Sequence, residues 1–324
     1  MKTFEEILIL IDEKINKIDW KCEPLGLFAP IDYVLGLGGK RLRPALTLMA
    51  CNLFTDNILP ALNPAIGIEI FHNFTLLHDD VMDNADIRRG KPTVHKKWDT
   101  NTAILSGDAM QIIAYQHITK TPAGHLKEVL DIFSATAIEV CQGQQLDIEF
   151  EKRLDVSNDE YLEMIRLKTA VLLGAALKIG ATVGNANAND KNMLYNFGIN
   201  LGLAFQLKDD WLDVWGDEQT FGKKIGGDIL CNKKTYLLIN ALQLAKGEDL
   251  TELKFLLNEK NILPNEKIGR VTEIFNRLKI KELTEEKINY YYKKSIENLD
   301  CLTVENSKKD ILQYLTKKLL QRDK

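Results

Sequence analysis

The sequence predicts an all-α fold. Three observations carry this. Apolar residues return at steps of three and four along most of the chain, no segment alternates apolar and polar residues as a half-buried strand does, and turn-forming residues are sparse. Phe4, Ile7, Leu8, Ile11, Ile15 and Ile18 form the first helical stripe. After the glycines of Gly36-Leu37-Gly38-Gly39, the apolar run Ala45 to Ala50 reads as a helix, and Ile66 to Leu77 reads as a buried one. Helical spacing recurs over Glu128 to Asp147, Tyr161 to Gly184, Lys234 to Leu244 and Ile311 to Leu320. The breaks at Thr121-Pro122-Ala123-Gly124, the Asn-rich Gly184 to Asn192 and the Gly-rich Phe221 to Asp228 lack the length and composition of an interdomain linker, so one domain over residues 1–324 is expected.

With 324 residues, 45% hydrophobic and 27% charged, the chain can bury a large core. A net charge of -4 and a pI near 5.9 give no overall basic field. That argues against nucleic acid as a partner and makes local basic clusters candidate sites. Met1-Lys2-Thr3-Phe4-Glu5-Glu6-Ile7 is not a basic segment followed by a long uncharged one, and no stretch reaches the roughly 20 apolar residues of a membrane span. A cytoplasmic protein without an integral membrane segment is expected. Cys22, Cys51, Cys141, Cys231 and Cys301 show no zinc spacing and are expected to be reduced thiols, mostly packing. Among the histidines only His72 stands out from ordinary core histidines.

Asp-Asp occurs twice, as Asp79-Asp80 and Asp209-Asp210, each followed three residues later by a third aspartate, Asp83 and Asp213. On a helix these positions turn toward roughly one face, so each trio can offer several carboxylates to one hard cation. Bare, a trio destabilises its helix: like charges at i,i+4 cost about 0.2–0.5 kcal/mol, and the end of a helix is already negative. A solvated acidic helix end is the plain alternative. The repetition, and the buried-looking runs Ile66 to Leu77 and Ile199 to Leu207 before the two trios, favour one divided metal site.

Gly38-Gly39-Lys40-Arg41-Leu42-Arg43-Pro44 sets two flexible residues before three cations, a pattern suited to an anion: arginine offers a planar fork, lysine a point charge, and glycine close approach. Arg88-Arg89-Gly90-Lys91-Pro92 follows the first trio directly. Acid and base so close either neutralise each other or serve a site that takes both a divalent cation and a polyphosphate. Lys168-Thr169 opens an Ala/Leu/Gly-rich helical stretch, and Lys224-Ile225-Gly226-Gly227-Asp228 and Asn232-Lys233-Lys234-Thr235 follow the second trio. Each lysine alone reads as a solvated helix end.

Together these segments resemble the trans-isoprenyl diphosphate synthase (polyprenyl synthetase) family. The resemblance rests on GGKRLRP, on Leu77-His78-Asp79-Asp80-Val81-Met82-Asp83-Asn84-Ala85-Asp86-Ile87-Arg88-Arg89-Gly90, on Gly143-Gln144-Gln145-Leu146-Asp147, on Lys168-Thr169, and on Phe205-Gln206-Leu207-Lys208-Asp209-Asp210-Trp211-Leu212-Asp213, in that order. It implies an isoprenoid synthase-type helical bundle around a central cavity, usually a homodimer, with the trios facing each other across the cavity mouth. It implies three Mg2+ ions held by Asp79, Asp80, Asp83, Asp209, Asp210 and Asp213 and bridging to an allylic diphosphate. Arg89 and Lys168, with Lys224 and Lys233, would stabilise the departing diphosphate. Isopentenyl diphosphate would sit on Lys40, Arg43, His72 and Arg88, while Thr169 and Gln206 would hold the allylic side and brace the carbocation.

In this family the residues upstream of the first trio line the cavity. Five residues at about 1.5 Å each put Phe74 roughly 7 Å from Asp79. Phe74 is thus a candidate floor, although it also reads as a core aromatic. Phe74-Thr75 with no insertion between Asp80 and Asp83 resembles geranylgeranyl-type synthases, so a C20 product is favoured over C15. Residues around Ala109, Met110 and Ile113 are further candidates for opening or closing the cavity. A terpene cyclase has no need of GGKRLRP or of Arg88-Arg89, and a head-to-head condensing enzyme carries a different acidic pattern. A non-catalytic regulatory subunit usually has eroded trios. Failing the family altogether, a helical protein binding a divalent cation or polyphosphate remains.

Overall fold

A computed structural model describes residues 2–217, 225–259 and 261–320. The expected all-α class is what it has. The helices are α1 (Phe4–Asn16), α2 (Leu25–Gly36), α3 (Leu42–Asn52), α4 (Leu62–Met82), α5 (Val94–Lys97), α6 (Thr100–Ile118), α7 (Ala123–Glu151) and α8 (Asn158–Ile165), followed by α9 (Val171–Val183), α10 (Ala188–Trp215), α11 (Gly227–Leu230), α12 (Tyr236–Leu244), α13 (Gly247–Asn258), α14 (Pro264–Arg277), α15 (Ile280–Asp300) and α16 (Asn306–Leu320). A π-helical turn, Arg166–Ala170, joins α8 to α9 and interrupts what the sequence presents as one helical stretch from Tyr161. A small antiparallel hairpin, β1 (Ile87–Arg88) and β2 (Lys91–Pro92), pairs Arg88 with Lys91. Two-residue strands are too short to show a period, so the pattern of apolar residues gives no sign of them.

The chain resolves into two compact units. The first comprises Met1–Ala135, Ala175–Tyr195 and Leu302–Ile311, and the second Thr136–Gly174, Asn196–Cys301 and Leu312–Lys324. Helix α1 of the first unit starts at a capping box in which Thr3 accepts from Glu6 N and Glu6 reaches back to Thr3 N, and its stripe Ile7, Ile11, Ile15 is buried. Helix α4 is buried on more than one face, at Ala65, Ile66, Ile68, Ile70, Phe71, Phe74 and Leu77, which makes it a central helix. Phe71 stacks edge-on against Phe133 at 5.2 Å between centroids, and Phe133 likewise against Tyr115 at 4.9 Å. The core of the second unit gathers Phe150, Tyr161, Met164, Leu207, Trp211, Leu237, Ile274 and Phe275.

Of the cysteines only Cys51 is buried; the other four are exposed, so packing explains one thiol and not most of them. Among the described residues no helix is long and apolar enough to cross a membrane.

Helices α4 and α6 are closely paired, and Gly67 is where they meet. A Cβ at Gly67 would lie 2.9 Å from the Ala114 carbonyl oxygen and 3.1 Å from Ile118 Cγ1. Gly67→Ala is therefore expected to lower the unfolding free energy, because displacing backbone outweighs the roughly 1 kcal/mol that alanine gains in helix propensity. A urea titration measures this, and an unchanged or higher midpoint would show that α4 and α6 are not in close contact there.

Candidate active site

The first trio occupies the last turn of α4, with Asp83 as its C-cap. Asp79 is half-buried, Asp80 buried and Asp83 exposed. The hairpin folds Arg88 back onto this turn: its Nε donates to both Asp80 oxygens at 2.8 Å, and its Nη2 lies 2.8 Å from Oδ1. Burial raises the Asp80 pKa; the Arg88 hydrogen bond and charge oppose the shift, and Asp79 adds to it. The connecting loop is closed by Thr93, whose Oγ1 donates to Ala85 O at 2.6 Å and whose N donates to Asp86 O at 3.0 Å.

The glycine-rich basic loop packs against the second arginine of the pair. Arg89, itself left-handed at φ 53°, donates to Gly38 O. A Cβ on Gly39 would lie 2.9–3.1 Å from the Arg89 guanidinium, which could shift, but Gly39 has φ 146°, and that backbone favours glycine. The three cations of this loop diverge. Arg41 is buried, with Nη1 on Glu69 at 2.8 Å, Nη2 on Leu35 O at 2.8 Å and Nε on Asp12 at 3.2 Å. Lys40 is exposed, and half-buried Arg43 contacts His72 Nε2 at 3.1 Å. A guanidinium only donates, so His72 accepts at Nε2 and carries its proton on Nδ1. Burial, then the charges of Arg43, Arg89, Arg88 and Arg41, hold the His72 pKa well below the usual histidine range, which keeps the ring neutral. Burial likewise lowers the Arg43 pKa to about 10.

Arg88, expected on the isopentenyl side, forks onto the aspartate trio, and Arg89, expected on the allylic side, lies against the glycines that precede Lys40. The positive φ of Arg89 and Gly90 turns the chain between them, so neighbours in sequence serve different neighbours in space.

The second trio lies near the end of α10, with Asp209 half-buried and Asp210 and Asp213 buried. Asp210 accepts from the Tyr161 hydroxyl and, at 3.1 Å, from Gln206 Nε2, whose own Oε1 accepts from Thr169 Oγ1 at 3.2 Å. Gly226 N donates to Asp213 O at 2.6 Å and Asp228 N to Asp213 Oδ2 at 3.0 Å, folding the start of α11 onto the trio. Burial first, then the Asp228 charge, pushes the Asp210 pKa upward against the pull of half-buried Lys233. Lys168 and Thr169 ride on the π-helical turn, and Lys168 contacts Asp147 at 2.6 Å. One turn before Asp147, a Cβ at Gly143 would strike the Leu167–Lys168 backbone, so the Gly143 to Asp147 segment supplies both the close approach and the counter-charge. Lys224 lies outside the described residues.

Tyr161, Asp147 and Asp228 had no assigned role in the sequence reading. Tyr161 is spaced like a core aromatic, and nothing local announces its hydroxyl. Phe74 is buried, its ring 5.4 Å from Phe71 and 4.8 Å from His78, and Thr75 Oγ1 bonds back to His72 O at 2.8 Å. Met110 is buried, while Ala109 and Ile113 are half-buried.

Among the described residues no three His, Cys, Asp or Glu side chains converge closely enough to enclose an ion unaided, with Asp80 turned to Arg88 and Asp210 to Tyr161 and Gln206. The donors nevertheless suit a hard cation: all are carboxylate oxygens, and in the second trio Asp210 and Asp213 are buried beside Asp228. A raised folded-state pKa means that Asp210 contributes stability below the ordinary aspartate range, about pH 4, and loses it as pH rises through the folded value. The contribution of Asp210 is thus expected to fall with rising pH, and Mg2+, if it binds there, to raise the melting temperature more at about pH 8 than at about pH 5. Thermal unfolding at both pH values with and without Mg2+ reads this; an equal Mg2+ effect at both would remove Asp210 as the source.

Residues 26–278 match the family model described as Polyprenyl synthetase. The chain is 41% identical over 236 residues to a geranylgeranyl diphosphate synthase of Methanosarcina mazei, covering 72% of each. It is 38% identical over 237 residues to a geranylfarnesyl diphosphate synthase of Natronomonas pharaonis, covering 68% of this chain and 70% of that one. A solved geranylgeranyl pyrophosphate synthase matches over 100% of both chains with a TM-score of 0.95 and 44% identity. With the match running from before the basic loop to beyond Thr235, the chain belongs to the polyprenyl synthetase family.

Proposed function

We propose that this trans-prenyltransferase condenses isopentenyl diphosphate head to tail with an allylic diphosphate and releases a short-to-medium all-trans prenyl diphosphate, C20 in preference to C15. The observation that carries the reading is the pair of intact aspartate trios, each with its own buried donors, in a family member that also keeps the glycine-rich basic loop. A terpene cyclase does not need that loop, and a regulatory subunit does not need both trios.

Asp79, Asp80 and Asp83, with Asp209, Asp210 and Asp213, would hold Mg2+, three ions by the family's pattern. When bound, Mg2+ supplies charge stabilisation to the departing diphosphate. Arg88, Lys168, Lys224 and Lys233 would add their charges to the same leaving group as the allylic carbon–oxygen bond breaks. Lys40, Arg43, His72 and Arg89 would hold the diphosphate of isopentenyl diphosphate so that its double bond faces the allylic cation. The placement of Arg88 beside Asp80 and of Arg89 beside Gly38 favours this division. Neutral His72, donating from Nδ1 and already satisfied at Nε2, suits an anion's neighbour that must not compete for its proton. Thr169 and Gln206 would face the cation with their oxygens. Proton loss to the released diphosphate would finish the step, so no dedicated protein base is needed.

Phe74, braced by Phe71 and His78, would form the floor of the cavity with Thr75 beside it. The names of the relatives include both C20 and C25 products, so similarity alone leaves length to such side chains. We further propose one functional domain, supported by a family match that draws on both compact units. A cytoplasmic site is supported by four exposed free thiols. A homodimer through α6 is supported by the exposure of Leu105 (60%) and Ile112 (62%) about two turns apart on that helix. Sedimentation showing only monomer at working concentration would sink the dimer.

The test is incubation with Mg2+, labelled isopentenyl diphosphate and, separately, dimethylallyl, geranyl and farnesyl diphosphates, followed by chain-length analysis. A linear series ending at C20 is expected. Asp79→Ala and Asp209→Ala should each slow turnover by roughly 10²-fold or more at matched folding, and near-normal rates would sink the divided metal site. Phe74→Ala should lengthen the product, and an unchanged profile would remove it as the floor.

A further inference from the structure

Glu69 is a carboxylate that the proposed reaction does not use. It lies on α4, 2% exposed, one turn before His72. Its Oε1 accepts from Arg41 Nη1 at 2.8 Å and from Asn73 Nδ2 at 3.1 Å, while Asn73 Nδ2 also reaches Glu69 O at 2.8 Å. The remaining Arg41 nitrogens engage Leu35 O at the end of α2 and Asp12 on α1, so one guanidinium pins three helices. The Arg41 backbone is left-handed, φ 46° and ψ 32°, at the N-cap of α3. A residue other than glycine keeps that conformation only when its surroundings hold it.

Lys40 precedes this turn and Arg43 follows it. Asn73 also lines a pocket shared with Asp80, Arg88, Arg89 and Thr93, and its Oδ1 is buried without a hydrogen-bond partner among the described residues. The Glu69 charge acts on Arg43 and on Arg89, tempering the mutual repulsion of the arginines around His72.

We infer that Glu69 is the positioning residue of the isopentenyl diphosphate half-site: it holds Arg41 inward in its left-handed turn, which aims Lys40 and Arg43, and it ties that turn through Asn73 to the pocket lined by Arg88 and Arg89. This deepens the proposed function and rests on it. Glu69 is buried against Arg41 and Asn73 on the isopentenyl side, so its loss should weaken one substrate and spare the other.

Glu69→Gln keeps the size of the side chain and an acceptor oxygen but removes the charge. With each substrate varied in turn, the KM for isopentenyl diphosphate is expected to rise roughly tenfold, as for one lost charge-assisted contact, with kcat and the allylic KM within about threefold. Arg41→Gln should reproduce that pattern, and the double variant should be no worse than either single, because the two act as a unit. An unchanged KM for isopentenyl diphosphate, or equal rises in both KM values, would overturn the inference. Should the buried variants not fold, Asp12→Asn at the half-exposed end of Arg41 carries the test, with the same selectivity expected and its absence counting against the inference. Failure of the wild-type protein to condense would count against the proposed function instead. Calorimetric titration with isopentenyl diphosphate alone then decides the role of Glu69: weaker binding by Glu69→Gln supports it, and equal binding overturns it.

Discussion

Crowded like charge is the constraint around which the acidic ends of α4 and α10 are built. Each trio sets carboxylates one turn apart near the negative end of its helix, where the unliganded chain gains nothing from them. The fold answers differently at the two ends. At α4 a full positive charge, the fork of Arg88, covers Asp80. At α10 neutral groups donate to Asp210 and Asp213: a tyrosine hydroxyl, a glutamine amide and a backbone N–H. Neutral donors satisfy oxygen lone pairs without bringing a counter-charge, and burial, with the Asp228 charge, holds Asp210 toward its protonated form against the pull of Lys233. A cation binding at the first trio would have to displace or share the Arg88 ion pair, whereas at Asp210 it would displace a proton. The two halves of the acidic signature look alike in sequence and differ in electrostatic readiness.

The basic elements solve the inverse problem. Arg41, Arg43, Arg88 and Arg89 all act on His72, and a protonated imidazole there would be a fifth cation. Burial and the arginine charges keep that ring neutral, with Arg43 against its Nε2, and Arg41 is turned inward onto Glu69. What the string GGKRLRP presents as three equivalent cations is a buried peg, Arg41, a half-buried Arg43 against His72, and an exposed Lys40. Buried ion pairs of this kind are weak contributors to net stability, but removing one partner is costly, which suits a pair whose work is to fix direction.

The fold was legible where a period exists. The stripe Ile7, Ile11, Ile15 and the all-round burial of α4 follow from spacing and composition, and the glycines mark turns where positive φ is needed. The trios were legible because the same unfavourable pattern occurs twice. The different neighbours of Arg88 and Arg89 were not, since a hairpin turn with positive φ at Arg89 and Gly90 separates residues that adjacency makes look equivalent. The π-helical turn under Lys168 was not either. A π turn shifts the apolar stripe by a single residue, too little to stand out in so apolar a stretch, and Gly143 is a small residue whose reason lies on this turn. Tyr161 was hidden by its own size: a large aromatic at helical spacing looks like core, and it is core everywhere except at its hydroxyl.

Helix α4 carries most of what the proposed reaction needs, and this has a geometric consequence. Glu69 and His72 face the basic loop, Phe74 faces the aromatic cluster, and Asp79 and Asp80 end the helix. A helix rises about 1.5 Å per residue with little give, so the separation between the aspartate trio and Phe74 is set by residue number and not by flexible loops. Changing that separation by moving the backbone would also rotate His72 and the trio off their partners, because one residue turns a helix by about 100°. Cavity length on such a frame changes most cheaply through side-chain volume at a fixed position. Phe74, buried with its ring supported on both sides along the same helix, is placed where such a change would act without disturbing the charged groups on either side of it.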